Sequence, residues 1–125
     1  MKYLCLAWEE EAQLDALTRA EWDVLRRETL DYVASLRESG HLLVTEALQS
    51  ARNGVSLRVR NGMLATTDGP FTETKEQLGG IFLLEAADLN EAIQIAARWP
   101  SAQIGTIEVR PVEIELRDEG RYAAV

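Results

Sequence analysis

The sequence predicts an α+β domain in which two helices are set between strands and one β-hairpin is inserted. Three observations carry that expectation. Two segments open with a helix-capping pattern and repeat apolar residues at helical spacing. Four others are short apolar runs bounded by turn residues, and one alternating run ends in Asn-Gly. The length of 125 residues suits one domain with one core.

Taken in order, Lys2 to Trp8 is an apolar run with aromatics, predicted as a buried strand, and Glu9-Glu10-Glu11 follows as a solvated loop. Thr18 to Glu21 has the form of a capping box, in which each side chain accepts from the other residue's free backbone N–H. Trp22, Leu25, Thr29, Val33 and Leu36 then recur on one helical face until Ser39-Gly40 supplies a stop. His41 to Leu48, between that stop and the turn-like Arg52-Asn53-Gly54, is predicted as a strand. Val55 to Arg60 alternates strictly, which predicts one buried face and one carrying Ser56, Arg58 and Arg60. Asn61-Gly62 is the two-residue type I′ signal that returns the chain through Met63 to Thr67.

Thr66 to Phe71 contains Asp68-Gly69-Pro70 and must turn, since proline fixes φ and removes a donor while glycine tolerates unusual dihedrals. Thr72 to Gln77 is polar and closes at Gly79-Gly80. Ile81 to Ala86 is predicted as a central strand buried on both faces for most of its length. Asp88 to Glu91 is a second capping box, ahead of a shorter helix whose stripe is Leu89, Ala92, Ile93, Ala96 and Ala97 and which ends before Pro100. Ile104 to Leu116 is predicted as a long last strand, with Pro111 marking an edge or a bulge. Without the hairpin the order is β-α-β-β-α-β, the ferredoxin-like split. Two helices cover one face of such a sheet, so a second copy of the chain is the expected cover for the other. Residues 1–116 form the predicted domain and 117–125 a tail.

Composition excludes several function classes. Thirteen basic against twenty-one acidic residues give a net charge of -8, with no broad cationic footprint for nucleic acid or anionic lipid. No apolar run approaches the roughly 18 residues of a membrane span, and the start turns acidic too soon for a signal peptide. One cysteine, Cys5, cannot pair within the chain, which fits a reducing cytoplasm. A single histidine, His41, rules out zinc sites built from several His and Cys of one chain. No G-x-S-x-G, G-x-G-x-x-G or P-loop occurs. Acid–base work falls to carboxylates, Lys, Tyr or His41.

The run Thr67 to Gly80, TDGPFTETKEQLGG, resembles the signature of the DGPF proteins of the YCII-related group. The resemblance continues through Phe82 to Ala92, Ala97 to Pro100 and Ile107 to Val112, and the opening Met1 to Leu4 also looks like the family start. It implies a dimeric α/β barrel of ferredoxin-like subunits, without bringing a settled activity. In the wider group some members look like enzymes using a His on the first helix and an Asp after the second. Aligned on the helix-ending glycine and proline, those positions are Thr29 and Trp99 here, neither of which titrates near neutral pH, so that dyad does not carry over.

Candidate site residues follow. Asp68, Glu73, Lys75 and Glu76 place three carboxylates and one amine within nine residues. A carboxylate desolvated beside Lys75 would serve as a base, or two would hold a divalent metal; solvated pairs on a structural turn explain the same residues. Asp68, Lys75 and Glu76 are assigned as catalytic candidates, with no metal and no cofactor called for. Arg58, Arg60 and Arg110 lie on outward strand faces where a guanidinium forks onto a carboxylate, or pairs with the surface acid. Glu73, Tyr3, Trp22, Trp99 and Arg110 are the ligand-binding candidates, although aromatics at helix-face spacing are commonly core. Cys5 is predicted as a small core residue, and His41 as exposed or bound to a helix-end carbonyl.

Two functions are expected from this reading. One is a cytoplasmic homodimer binding a small acidic or aromatic metabolite between the sheet and the DGPF loop, with proton transfer or lyase-type elimination as its chemistry. The other is a non-catalytic accessory or regulatory protein, because DGPF proteins resemble gene neighbours and fusion partners of alternative sigma factors.

Overall fold

The computed structural model describes residues 1–113. The predicted tail 117–125 and the end of the last predicted strand, 114–116, lie outside the described residues. Within them the chain runs β1 (Lys2–Glu9), α1 (Glu11–Asp15), α2 (Arg19–Glu38), β2 (Leu42–Ala47), β3 (Val55–Arg60), β4 (Met63–Asp68), β5 (Gln77–Glu85), α3 (Leu89–Ala97) and β6 (Thr106–Pro111). Single 3₁₀ turns sit at Ala51–Asn53 and Pro100–Gln103. Four strands pair antiparallel in the order β2-β5-β1-β6, and β3 with β4 forms a separate two-stranded sheet. The fold is α+β with antiparallel sheets.

Local chemistry accounts for the element ends. The capping box at α2 is made: Thr18 N–H donates to Glu21 Oε1 at 2.9 Å and Glu21 N–H to Thr18 Oγ1 at 3.1 Å. The Thr18 backbone N–H, with the Thr18 hydroxyl as a lesser contributor, holds the Glu21 carboxyl below the usual carboxylate range. Gly40 ends the helix at φ +81, a left-handed conformation that glycine adopts without strain, and His41 N–H donates to Leu36 O at 3.0 Å. At α3 the box is offset. Glu91 N–H donates to the Asp88 side chain as predicted, but the Glu91 carboxylate accepts from Ala87 N–H rather than from Asp88. In the hairpin Asn61 and Gly62 both take positive φ, 53 and 75, as a type I′ turn requires.

The core lies between one face of the four-stranded sheet and the helices α2 and α3. Tyr3, Cys5 and Ala7 of β1 alternate inward, as do Phe82 and Leu84 of β5. Cys5, Phe82 and Leu84 pack with Val33 and Leu36 of α2 and with Ile95 and Ala96 of α3. Tyr32 Oη donates to Ile95 O at 2.6 Å and ties the two helices together. Trp99, just past α3, stacks on Phe82 with ring centroids 3.9 Å apart and an interplanar angle of 6°. The Cys5 thiol is buried there, and burial pushes its pKa up to about 12, so it is inert as a nucleophile.

Four sequence expectations are corrected by these packing relations. Glu9 to Glu11 is no solvated loop: Glu9 closes β1, and Glu11 opens α1 while its carboxylate accepts from Ser50 Oγ at 3.0 Å and Ala51 N–H at 2.8 Å. β5 is central but is buried on one face only; Ile81 and Leu83 are half-buried because both long helices pack on the opposite side. β5 also starts earlier than predicted, at Gln77, because the two glycines lie within the strand rather than closing a loop: Gly80 pairs with Ala7 and Ala47, and Gly79 sits at the register shift. The alternating hairpin has no buried face, since no element of the described chain covers it.

A glycine shapes the entry to β6. A Cβ on Gly105 would lie 2.3 Å from the backbone carbonyl oxygen of Trp8, an atom that a rotamer change cannot remove. Gly105→Ala is therefore expected to lose about 1–3 kcal/mol of stability in urea unfolding. Wild-type stability in that variant would contradict the close approach.

Candidate functional site

A cleft of about 430 Å³ lies between α2 and the sheet, over β1, β2 and β5. Its walls are set by periodicity: Trp22, Leu25, Thr29 and Val33 descend one face of α2, and Phe82 and Trp99 close the inner end. Thr29 Oγ1 spends its proton locally on Leu25 O at 2.8 Å, which leaves its methyl group as part of the apolar wall. Arg26 and Arg37 stand exposed at the rim. Trp22 is 44% exposed, so one aromatic face is open to a ligand.

Glu9 and Glu46 both line this cleft; Glu46 is exposed on β2, whereas Glu9 is half-buried and its position depends on Gly79. The register between β1 and β5 slips after Ala7, so that Ala7 faces Gly80 and Trp8 faces Leu78. The Glu9 side chain occupies the space left at Gly79, where a Cβ would fall 1.5 Å from Glu9 Oε1. Burial pushes the Glu9 pKa above the ordinary glutamate value, and the charge of Glu11 pushes it the same way. A second hollow of about 360 Å³ shares Glu9, Leu14, Trp22 and Gly79 with the cleft and extends past Glu11 and Asp15.

The sign of that shift gives a testable pH dependence. With its pKa raised in the folded state, Glu9 favours folding fully below the ordinary glutamate pKa, and that contribution is lost as pH rises through the folded value. Glu9→Gln cannot ionise. It is expected to be more stable than wild type at pH 7, with the difference closing as pH falls below 4 or so. Urea melts of both proteins across that range would read it, and a pH-independent difference would contradict the assignment.

The predicted site residues are scattered and do not form one site. Trp22 and Trp99 meet in the cleft. Lys75 and Glu76 line a separate open groove of about 560 Å³ with Trp8, Glu10, Thr74 and Thr106. There Thr106 Oγ1 donates to Glu76 Oε1 at 2.9 Å, and Lys75 Nζ lies 4.0 Å from Glu10 Oε2. Asp68 is exposed at the end of β4, and Glu73 is exposed in the loop that follows. The turn between them is held by Gly69 N–H donating to Gly54 O and by Ser56 Oγ donating to Gly69 O, both at 2.8 Å. Arg110 pairs with Glu108 on β6, and Glu108 also accepts from Trp8 Nε1 at 3.2 Å. Tyr3 is buried against Ala86 and Ala92, away from the cleft. His41 sits between Ser39 Oγ, 2.7 Å from Nδ1, and Glu91, 3.5 Å from Nε2. Among the described residues no group of three or more His, Cys, Asp or Glu has metal-binding geometry.

Sequence reasoning missed Glu9 and found the motif's glycines without their role. Gly79 and Gly80 are where the DGPF signature touches the cleft, through the backbone. Thr29 and Trp99, which occupy the positions that the resemblance gives to a titrating pair, both line it as well.

Comparison with known proteins agrees with that resemblance. A family model for the YCII-related domain matches residues 1–115. An uncharacterized protein of Rhizobium meliloti (strain 1021) is 32% identical over 116 residues, covering 91% of this chain and 94% of the relative. No helix of the described residues is long and apolar enough to cross a membrane. On the family match and the relative together, the chain belongs to the YCII-related family.

Proposed function

We propose that this protein binds a small aromatic or acidic metabolite in the cleft beneath α2, with Glu9 as the group that exchanges a proton with it. The observation that carries the reading is the half-buried Glu9 carboxyl, held in its protonated form more readily than usual, in the wall of a cleft shared with three aromatic rings. Trp22, Phe82 and Trp99 offer the apolar and stacking surface for a ring, and Arg26 and Arg37 offer guanidinium forks for a carboxylate at the rim. A protonated Glu9 donates a hydrogen bond to such an anion; an ionised one accepts a proton from an acidic carbon or hydroxyl. Elimination or isomerisation of a hydroxy or oxo acid is the chemistry that suits a half-buried carboxyl able to exchange a proton. In this reading Asp68, Lys75 and Glu76 stay outside the cleft, and their groove is a separate surface.

The same proposal includes the subunit arrangement. The strand order β2-β5-β1-β6 supports a ferredoxin-like subunit. Leu4, Leu6, Ile81 and Leu83, half-buried opposite the helices, favour a homodimer in which two sheets face each other as an α/β barrel. The test is a thermal-shift panel of aromatic and hydroxy carboxylates against wild type and Glu9→Gln. Ligand at 100 times its Kd adds about 2.7 kcal/mol of stability, a shift of several degrees. A carboxylate that stabilises wild type and whose affinity changes in Glu9→Gln supports the site. No stabilisation by any carboxylate overturns it.

A further inference from the structure

The β3–β4 hairpin is a formed ribbon with two unlike sides and no cover. Every residue of β4 is exposed, and so is every residue of β3 except Ser56. Alternation puts Val55, Leu57 and Val59 on one side, and the register places Leu64 opposite Val59. These four are between 54% and 65% exposed, Val59 least and Leu64 most. The other side carries Arg58 and Arg60, with the Arg58 guanidinium 4.5 Å from the centre of the Phe71 ring. A two-stranded hairpin is marginal in water on its own, so an apolar side of this kind needs a surface to lie against.

Charge selects that surface. Residues 48–67 hold three arginines and no acid, whereas the remainder of the chain holds ten basic and twenty-one acidic residues. A basic ribbon on an acidic body is complementary to a second copy of the same chain, and under two-fold symmetry both ribbons engage at once. We propose that the hairpin is an intersubunit arm: Val55, Leu57, Val59 and Leu64 lie on the partner subunit, and Arg58 and Arg60 meet its acidic surface. The inference rests on the homodimer reading above and adds the element that holds the pair together.

Sedimentation velocity over a concentration series tests it. Leu57→Ser/Leu64→Ser is expected to raise the dimer Kd at least about 30-fold with the circular dichroism unchanged, because both residues are exposed in the subunit. Arg58→Glu/Arg60→Glu is expected to weaken the dimer and flatten its salt dependence. Tryptic cleavage of wild type after Arg58 and Arg60 is expected to slow as the concentration rises through the Kd. Leu83→Asp, on the open sheet face, separates the two readings. If it yields monomers while both hairpin variants dimerise as wild type does, the arm is overturned and the facing-sheet dimer stands. Wild type that stays monomeric across the series overturns both.

Discussion

Phe82→Ala is expected to cost about 3–5 kcal/mol, lowering the unfolding midpoint by roughly 10–20 °C. Phe82 is 1% exposed on the central strand β5, and its ring is covered by Trp99, itself 7% exposed. Truncation removes the stack and leaves a void against Cys5, Leu84 and Val33 that a rigid sheet cannot close. The same void opens into the cleft, since Phe82 and Trp99 also form its inner wall. Chemical unfolding monitored by tryptophan fluorescence reads both consequences. A loss below about 1 kcal/mol would mean that the site collapses freely, which contradicts this account of the core.

Thr29→Phe is expected to abolish the stabilisation given by a carboxylate ligand, about 2.7 kcal/mol at 100 times the Kd, while the free protein still folds. Thr29 lies on the cleft side of α2, half-buried, so a larger side chain has space there that the core does not offer. The substitution fills the proposed binding volume and leaves Glu9, Trp22 and the arginines in place. Ligand stabilisation that survives it would move the binding site out of the cleft.

Much of the fold is legible in the sequence because its determinants are local. Thr18 and Glu21 announce the start of α2, Gly40 its end, and Asn61-Gly62 the register of the hairpin, each through backbone chemistry within a few residues. The cleft is legible only in part. Trp22 and Trp99 are visible as aromatics on or just past a helix, but Glu9 reads as one acid in a run of three. What half-buries it is Gly79 on the neighbouring strand and α2 above, both distant in sequence. The hairpin shows the complementary limit. Alternation identifies which residues share a face, and Val55, Leu57 and Val59 do, yet it carries no information on what covers that face. The run from Asp68 to Gly80 is legible in the same partial way: Lys75 and Glu76 line a separate groove, and the part that reaches the cleft is the pair of glycines.

The most direct test of the proposed site is a ¹⁵N correlation spectrum of the protein titrated with phenylacetate and indole-3-carboxylate. Saturable shifts are expected of the Trp22 and Trp99 indole N–H signals and of the Gly79 and Gly80 amides, all lost in Thr29→Phe. Shifts confined to Lys75, Glu76 and Thr106, or no saturable shift at all, would contradict the site.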